Sequence, residues 1–296
     1  MKVAAQYDPS FSHYWAMQTA YNPAAVGKQE KINIMAAYNM SLVGFTNNPK
    51  TVYASADMPF FMLGGHHGVG LRFMNDAIGL FSNNSLAVQY AFKQKLLGGM
   101  LSIGVQAGML NNKFDGSKLD VNDSGDNSLL SSEMTGTAVD LAAGLHYQAP
   151  SWWVGLAAQH LTAPTIELGE SSQQKLDMTY YLMAGGNIRL RNPFLTIQPS
   201  VMGRYEGLAY RTDVTARLTY THEQRKMYVG VGYSPSNSVT LMIGGRFHGI
   251  MLGYSYEAYT NGISLGNGSH ELFVNYQSDL NLFKKGRNRH QSVRIL

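Results

Sequence analysis

The chain has 296 residues, of which 14% are charged and 45% hydrophobic, with 31 glycines, 18 tyrosines, no cysteine and a formal net charge of +4. Without thiols there can be no disulfides, thiol catalysis or thiolate metal sites, and so small a positive charge, much of it in one tail, argues against nucleic acid as a partner. No apolar run approaches the ~18 residues that a membrane helix needs, so a membrane crossing would have to be made by strands.

Residues 1–5 lack the apolar core of a secretory signal, but Val3-Ala4-Ala5 before Gln6 resembles the small-residue end of one. The stretch is read as the remnant of a signal peptide, and export is expected. Residues 6–28 carry no strand pattern. Tyr7, Phe11, Tyr14, Trp15 and Tyr21 alternate with the turn formers Asp8-Pro9 and Asn22-Pro23. This is too apolar for a free tail and predicts an ordered arm or plug, with a plain connecting segment as the alternative.

Over residues 29–277 apolar side chains recur at every second position. The series run Ile32/Ile34/Ala36/Tyr38, Val52/Ala54/Ala56/Met58, Leu86/Val88/Tyr90/Phe92 and Leu101/Ile103/Val105/Ala107/Met109, and continue after a long polar loop to Leu272/Val274/Tyr276. Alternation of this kind sends one set of side chains to each face of a strand. The clearest case lies between Ala209 and Glu257, where Val214, Ala216, Leu218 and Tyr220 oppose Asp213, Thr215, Arg217 and Thr219. A soluble sandwich would alternate too, so the second face decides. Here it mixes isolated charges with glycine, serine and threonine, while the apolar face is almost uncharged and has aromatics near strand ends. That pattern predicts a transmembrane antiparallel up-and-down β-barrel of about fourteen strands with lipid outside and polar groups inside.

Connection lengths point the same way, because such barrels have short turns on the periplasmic side and longer external loops. Links at Phe61–Gly65, Lys95–Gly98, Glu223–Arg225 and His248–Gly249 are short, whereas Ser41–Pro49, Asn111–Thr135, Thr162–Asp177 and Thr260–Gly268 are long. Both chain ends are therefore expected on the periplasmic side of an outer membrane. The inward charges Arg72, Asp140, Arg189, Arg204, Asp213, Arg217, Arg246 and Glu257 mix both signs. Mixed signs suit cross-lumen pairing better than a selective pore, and predict a largely obstructed lumen. Residues 278–296 form a basic tail with Lys284, Lys285, Arg287 and Arg289, read either as a solvated end or as a periplasmic docking strip.

Two motifs suggest chemistry and neither has its context. Gly262-Ile263-Ser264-Leu265-Gly266 matches an esterase elbow, which requires a strand-to-helix turn with a histidine and an acid nearby. Asp120-Val121-Asn122-Asp123-Ser124-Gly125 opens like a calcium loop, but the twelfth position is Ser131 rather than glutamate. No lipid-face Ser or His with an acid partner stands out, so no enzyme, metal or cofactor is expected.

Gln6-Tyr7-Asp8-Pro9-Ser10-Phe11-Ser12-His13-Tyr14, followed by Tyr21-Asn22-Pro23-Ala24-Ala25-Val26-Gly27, resembles the start of the PorP/SprF family of Bacteroidota membrane proteins. Gln159-His160-Leu161-Thr162-Ala163-Pro164 is similar to another of its segments. The resemblance implies an outer-membrane component of type IX protein secretion, linked to gliding motility in some members, that acts by protein–protein binding. Its implied partners are outer-membrane lipids, a periplasmic lipoprotein ring or peptidoglycan-linked component, and secreted cargo or an adhesin. Asp8, Pro9, Phe11, Tyr14, Asn22 and Pro23, with the tail cations, are the candidate partner-binding residues. The alternative is a plugged channel for a small solute.

Overall fold

A computed structural model describes residues 8–116, 133–168, 172–207, 209–223, 225–262 and 267–279. The calcium-like loop, positions 263–266 of the elbow motif, the signal remnant and tail residues Lys284, Lys285, Arg287 and Arg289 lie outside the described residues. After a helical turn α1 (Gln18–Tyr21) and a 3-10 turn (Pro23–Ala25) come β1 (Lys31–Met40), β2 (Lys50–Met62), β3 (Gly65–Ile78), β4 (Phe81–Leu96), β5 (Gly99–Asp115), β6 (Glu133–Gln148) and β7 (Trp152–Gln159). A separate hairpin, β8 (Thr165–Leu168) and β9 (Ser172–Lys175), interrupts the series. It resumes with β10 (Thr179–Gly186), its continuation β11 (Ile188–Arg189), β12 (Leu195–Glu206), β13 (Ala209–His222), β14 (Arg225–Ser234), β15 (Ser238–Phe247), β16 (Ile250–Tyr259) and β17 (Ser269–Asp279).

Each barrel strand is antiparallel to its neighbours. β10 pairs with both β7 and β12, and β17 pairs with β1 from Lys31↔Asp279 to Met40↔His270, which closes a fourteen-stranded barrel. Closure leaves no strand edge to seek a partner. Strands of 10 residues such as β1 and β14, rising ~3.3 Å per residue and tilted by ~40°, cover an apolar band about 25 Å tall. β5, at 17 residues, continues well past that height.

The outer face is apolar and uncovered: Leu218, Val231 and Ile243 are 41%, 53% and 59% exposed. These side chains never meet in a dry centre, so a two-layer sandwich is excluded. Lipid supplies the apolar medium that protein does not. At one end the connections are tight. Leu63-Gly64, Leu97-Gly98 and His248-Gly249 all have positive φ at both positions, the geometry of a primed hairpin turn that matches strand twist. The opposite end carries the long loops, although connections at 79–80, 207–208 and 235–237 are short there as well.

The interior departs from the polar lining expected of it. Met35, Tyr53, Tyr181, Met183, Met202, Tyr228, Met242, Met251 and Phe273 point inward and build a hydrophobic core with the arm. The barrel thus has apolar groups on both faces, with polar side chains interspersed along the inner one and confined on the outer one mainly to strand ends, as at Asn75, Asn84 and Asn111. Arg189 lies exposed in the two-residue β11, outside the lumenal network assigned to it, because β10 ends before Asn187 and only this short extension follows. The loop expected over Thr162–Asp177 contains β8 and β9, whose Ile166 and Leu168 pack with inward-facing Leu110 of β5.

Candidate functional site in the barrel lumen

Residues 8–27 lie inside the barrel, and local turn chemistry sets their path. The Asn22 side chain accepts the Ala24 N–H at 2.9 Å and starts the turn Pro23–Ala25, as expected of an N-cap asparagine before proline. That turn presses on β5 at Gly104, where a Cβ would collide with the Ala24 backbone. Gly27, at φ +60°, touches Gly68 and Met58 backbone so closely that a Cβ there would stand 2.9 Å from each. Phe11, Tyr14, Met17 and Tyr21 are all buried against the inward core. Full burial of a side chain of this size contributes roughly 1.5–3 kcal/mol relative to water.

Side chains of the wall satisfy peptide groups of the arm, and Asn22 of the arm satisfies one of the wall, as buried backbone requires. Gln159 donates to Ala20 O at 3.0 Å and Tyr21 O at 2.9 Å. Gln89 donates to Thr19 O at 2.8 Å, Asn22 to Leu145 O at 2.9 Å, and Asn39 to Ser10 O at 3.0 Å. Arg72 donates to Ala20 O. Glu271 accepts the N–H groups of Ser12 and His13 at 2.6 and 3.0 Å and meets the His13 ring at 2.6 Å. The Arg217 guanidinium lies 3.4 Å from the centroid of the Trp15 ring, a cation–π contact.

The densest charge cluster holds the arm's first described residue. Tyr181 donates to Asp8 at 2.5 Å, Arg204 donates to the Asp8 carbonyl at 2.6 Å, and His160 Nε2 lies 3.2 Å from the carboxylate. The other ring nitrogen of His160 is 3.1 Å from Asp140, so the imidazole sits between two carboxylates. Burial alone would raise the Asp8 carboxyl, but His160, Tyr181 and Arg204 outweigh it and hold it below the usual carboxylate range. Burial likewise opposes charge on His160, yet Asp8 and Asp140 push it up to about 10. A second group at the same mouth places Arg211 3.0 Å from Asp213 and 3.1 Å from Glu257.

Asp8, Phe11, Tyr14 and Asn22, with Pro23, are buried against the barrel's own wall, so they serve the arm's seat and cannot meet a partner while it is in place. The seat unites Asp8 with Arg204 and, through His160, with Asp140. Arg72 and Arg217 hold the arm elsewhere, Asp213 and Glu257 join Arg211, and Arg246, among the described residues, reaches only the Met251 sulfur at 4.0 Å. β1 begins and β17 ends at the short-turn end of the barrel, where Lys31 pairs with Asp279. The arm, however, carries Asp8 back through the lumen to the long-loop end, beside Asn39, Asp76 and Tyr259. The sequence marks Gln159 only as part of a family segment and does not mark Tyr181 and Arg211 at all, since nothing local tells which inward polar residue will meet the arm. Among the described residues no group of three His, Asp or Glu side chains is placed to hold a metal ion.

A family model described as "Type IX secretion system membrane protein PorP/SprF" matches residues 3–276. Comparison with curated proteins finds no match. Among solved structures the chain is similar to the CymD monoaromatic hydrocarbon channel, at 10% identity and a TM-score of 0.53, over 89% of this chain and 91% of that one. It is also similar to a FadL homologue of Pseudomonas aeruginosa, at 11% identity and a TM-score of 0.46, over 87% and 92% of the two chains. At such identities the first likeness shows the barrel fold alone.

Proposed function

We propose, from the premise that this chain belongs to the PorP/SprF family of type IX secretion system membrane proteins, that it works as a rigid outer-membrane platform for protein–protein contacts. The observation that carries this reading is the arm: the segments that mark the family, Asp8–Tyr14, Tyr21–Gly27 and Gln159-His160, bind one another inside the lumen. A barrel filled by its own chain has its loops, turns and outer wall left for function. In this reading the short turns face the periplasm, where they and residues 280–296 meet a lipoprotein ring or peptidoglycan-linked component. The long loops around 116–132 and 160–178 meet secreted cargo or an adhesin.

The test is affinity purification of the tagged protein from native outer membranes after mild crosslinking, with loop 116–132 intact or replaced by a short Gly/Ser linker. The intact protein should recover type IX components and cargo, and the loop variant should lose cargo at least fivefold while keeping the components. Recovery of neither from the intact protein contradicts the reading.

A further inference from the structure

Below the arm, at the short-turn end, the lumen keeps a cavity of about 290 Å³. Four cations line it: Lys28 where the arm leaves the barrel, Arg217 of β13, Lys226 of β14 and Arg246 of β15. The carboxylate among its lining residues, Asp57, is already engaged by the Gly27 N–H and the Asn33 amide, each at 2.8 Å. Lys28 donates to Gln18 at 2.9 Å. Arg217, Lys226 and Arg246 make no ion pair with a described carboxylate.

Arg217 is only 8% exposed, and its Nε, like that of Arg246, is buried without a hydrogen-bond partner among the described residues. Lys226 and Arg246 are direct register partners across β14 and β15, both on the inner face. Like charges set opposite one another destabilise a strand pair, and a buried cation without a counter-charge costs more still. Residues 1–7 and 280–296 contain neither Asp nor Glu. Side-chain amides of Asn33, Gln198, Asn275 and Gln277 complete the wall and donate to Asp57, to Asn187 and to one another, so the charge of the site rests with the cations.

We propose that this cavity is a binding site for a small polyvalent anion bearing phosphate or carboxylate groups, held by Arg217, Lys226 and Arg246. An anion between Lys226 and Arg246 turns their repulsion into two charge-assisted contacts, and the guanidinium of Arg217, fixed on the Trp15 ring, presents a fork suited to either group. The volume is at the low end of ligand pockets, which run from ~300 Å³ upward, so the ligand is a small molecule.

Trp15 and Trp153 both line the cavity and report its occupancy. The full-length protein in detergent is titrated with sodium pyrophosphate and, separately, with sodium citrate, while tryptophan fluorescence is followed against sodium chloride at matched ionic strength. A saturable change with at least one of the two is expected, and the better probe distinguishes phosphate from carboxylate chemistry. The double variant Lys226→Gln/Arg246→Gln should raise the half-saturating concentration tenfold or more. Its Tm without ligand should be no lower than the parent's, because repulsion has been removed. If the double variant fails to fold, Lys226→Gln alone should raise it at least threefold. A response to both probes no larger than that to chloride overturns the proposal, as does a variant that binds as tightly as the parent.

Discussion

At the scale of single residues, the contact that decides the arm's position is Asp8 with His160, backed by Asp140. Removing one member of a buried charge pair strands the other and costs about 3–5 kcal/mol. Asp8→Asn and His160→Gln should each lower the Tm in detergent by several degrees and expose the arm to protease, while conversion at exposed Lys31 leaves both unchanged. The pair also has a pH window. Because the folded His160 pKa is raised to about 10, above its unperturbed ~6.5, its contribution is complete below the unfolded value and disappears as pH rises through about 10. Asp8 is shifted the other way, so its share is present above ~4 and is lost only in stronger acid. Limited proteolysis of the arm across pH 5 to 11 should show protection that fails only at the alkaline end. Asp8-Pro9 and Gln159-His160 were each conspicuous in the sequence, but their meeting was not. They are 152 positions apart, and alternation within a strand carries no information about which inward side chain faces a guest segment.

At the scale of elements, the strands were legible because their outer face has one simple job. Lipid accepts any apolar side chain, so Ile34, Leu71, Val88 and Leu241 repeat at period two without interruption. The inner face has to fit one particular guest, and its composition follows that guest rather than water. Hence Met35, Met202, Met242 and Met251 point inward, where polar residues were expected; unbranched methionine fills the irregular gaps around an arm that is itself aperiodic. The β8–β9 hairpin was missed for another reason, since four-residue strands show only two side chains per face. Fit also yields a prediction at Gly104, which touches the backbone at Pro23 and Ala24. Gly104→Val overpacks that contact, a change that costs about 1–3 kcal/mol. The variant should release residues 18–27 to protease while the heat-modifiable gel mobility of a closed barrel persists. Loss of the barrel itself would mean that the arm is a folding core rather than a guest.

At the scale of the whole molecule, a lipid-facing wall encloses a lumen occupied by residues 8–27, in a member of a type IX secretion system membrane-protein family. The wall and its strand number could be foreseen from periodicity and loop lengths. The threading of Asp8 to the long-loop end could not, because it depends on contacts spread over most of the strands. The direct measurement is planar-bilayer conductance of the intact protein beside a variant lacking residues 8–28. The intact barrel should stay closed, and the deletion should open stable channels. Large, steady conductance from the intact protein would contradict the account.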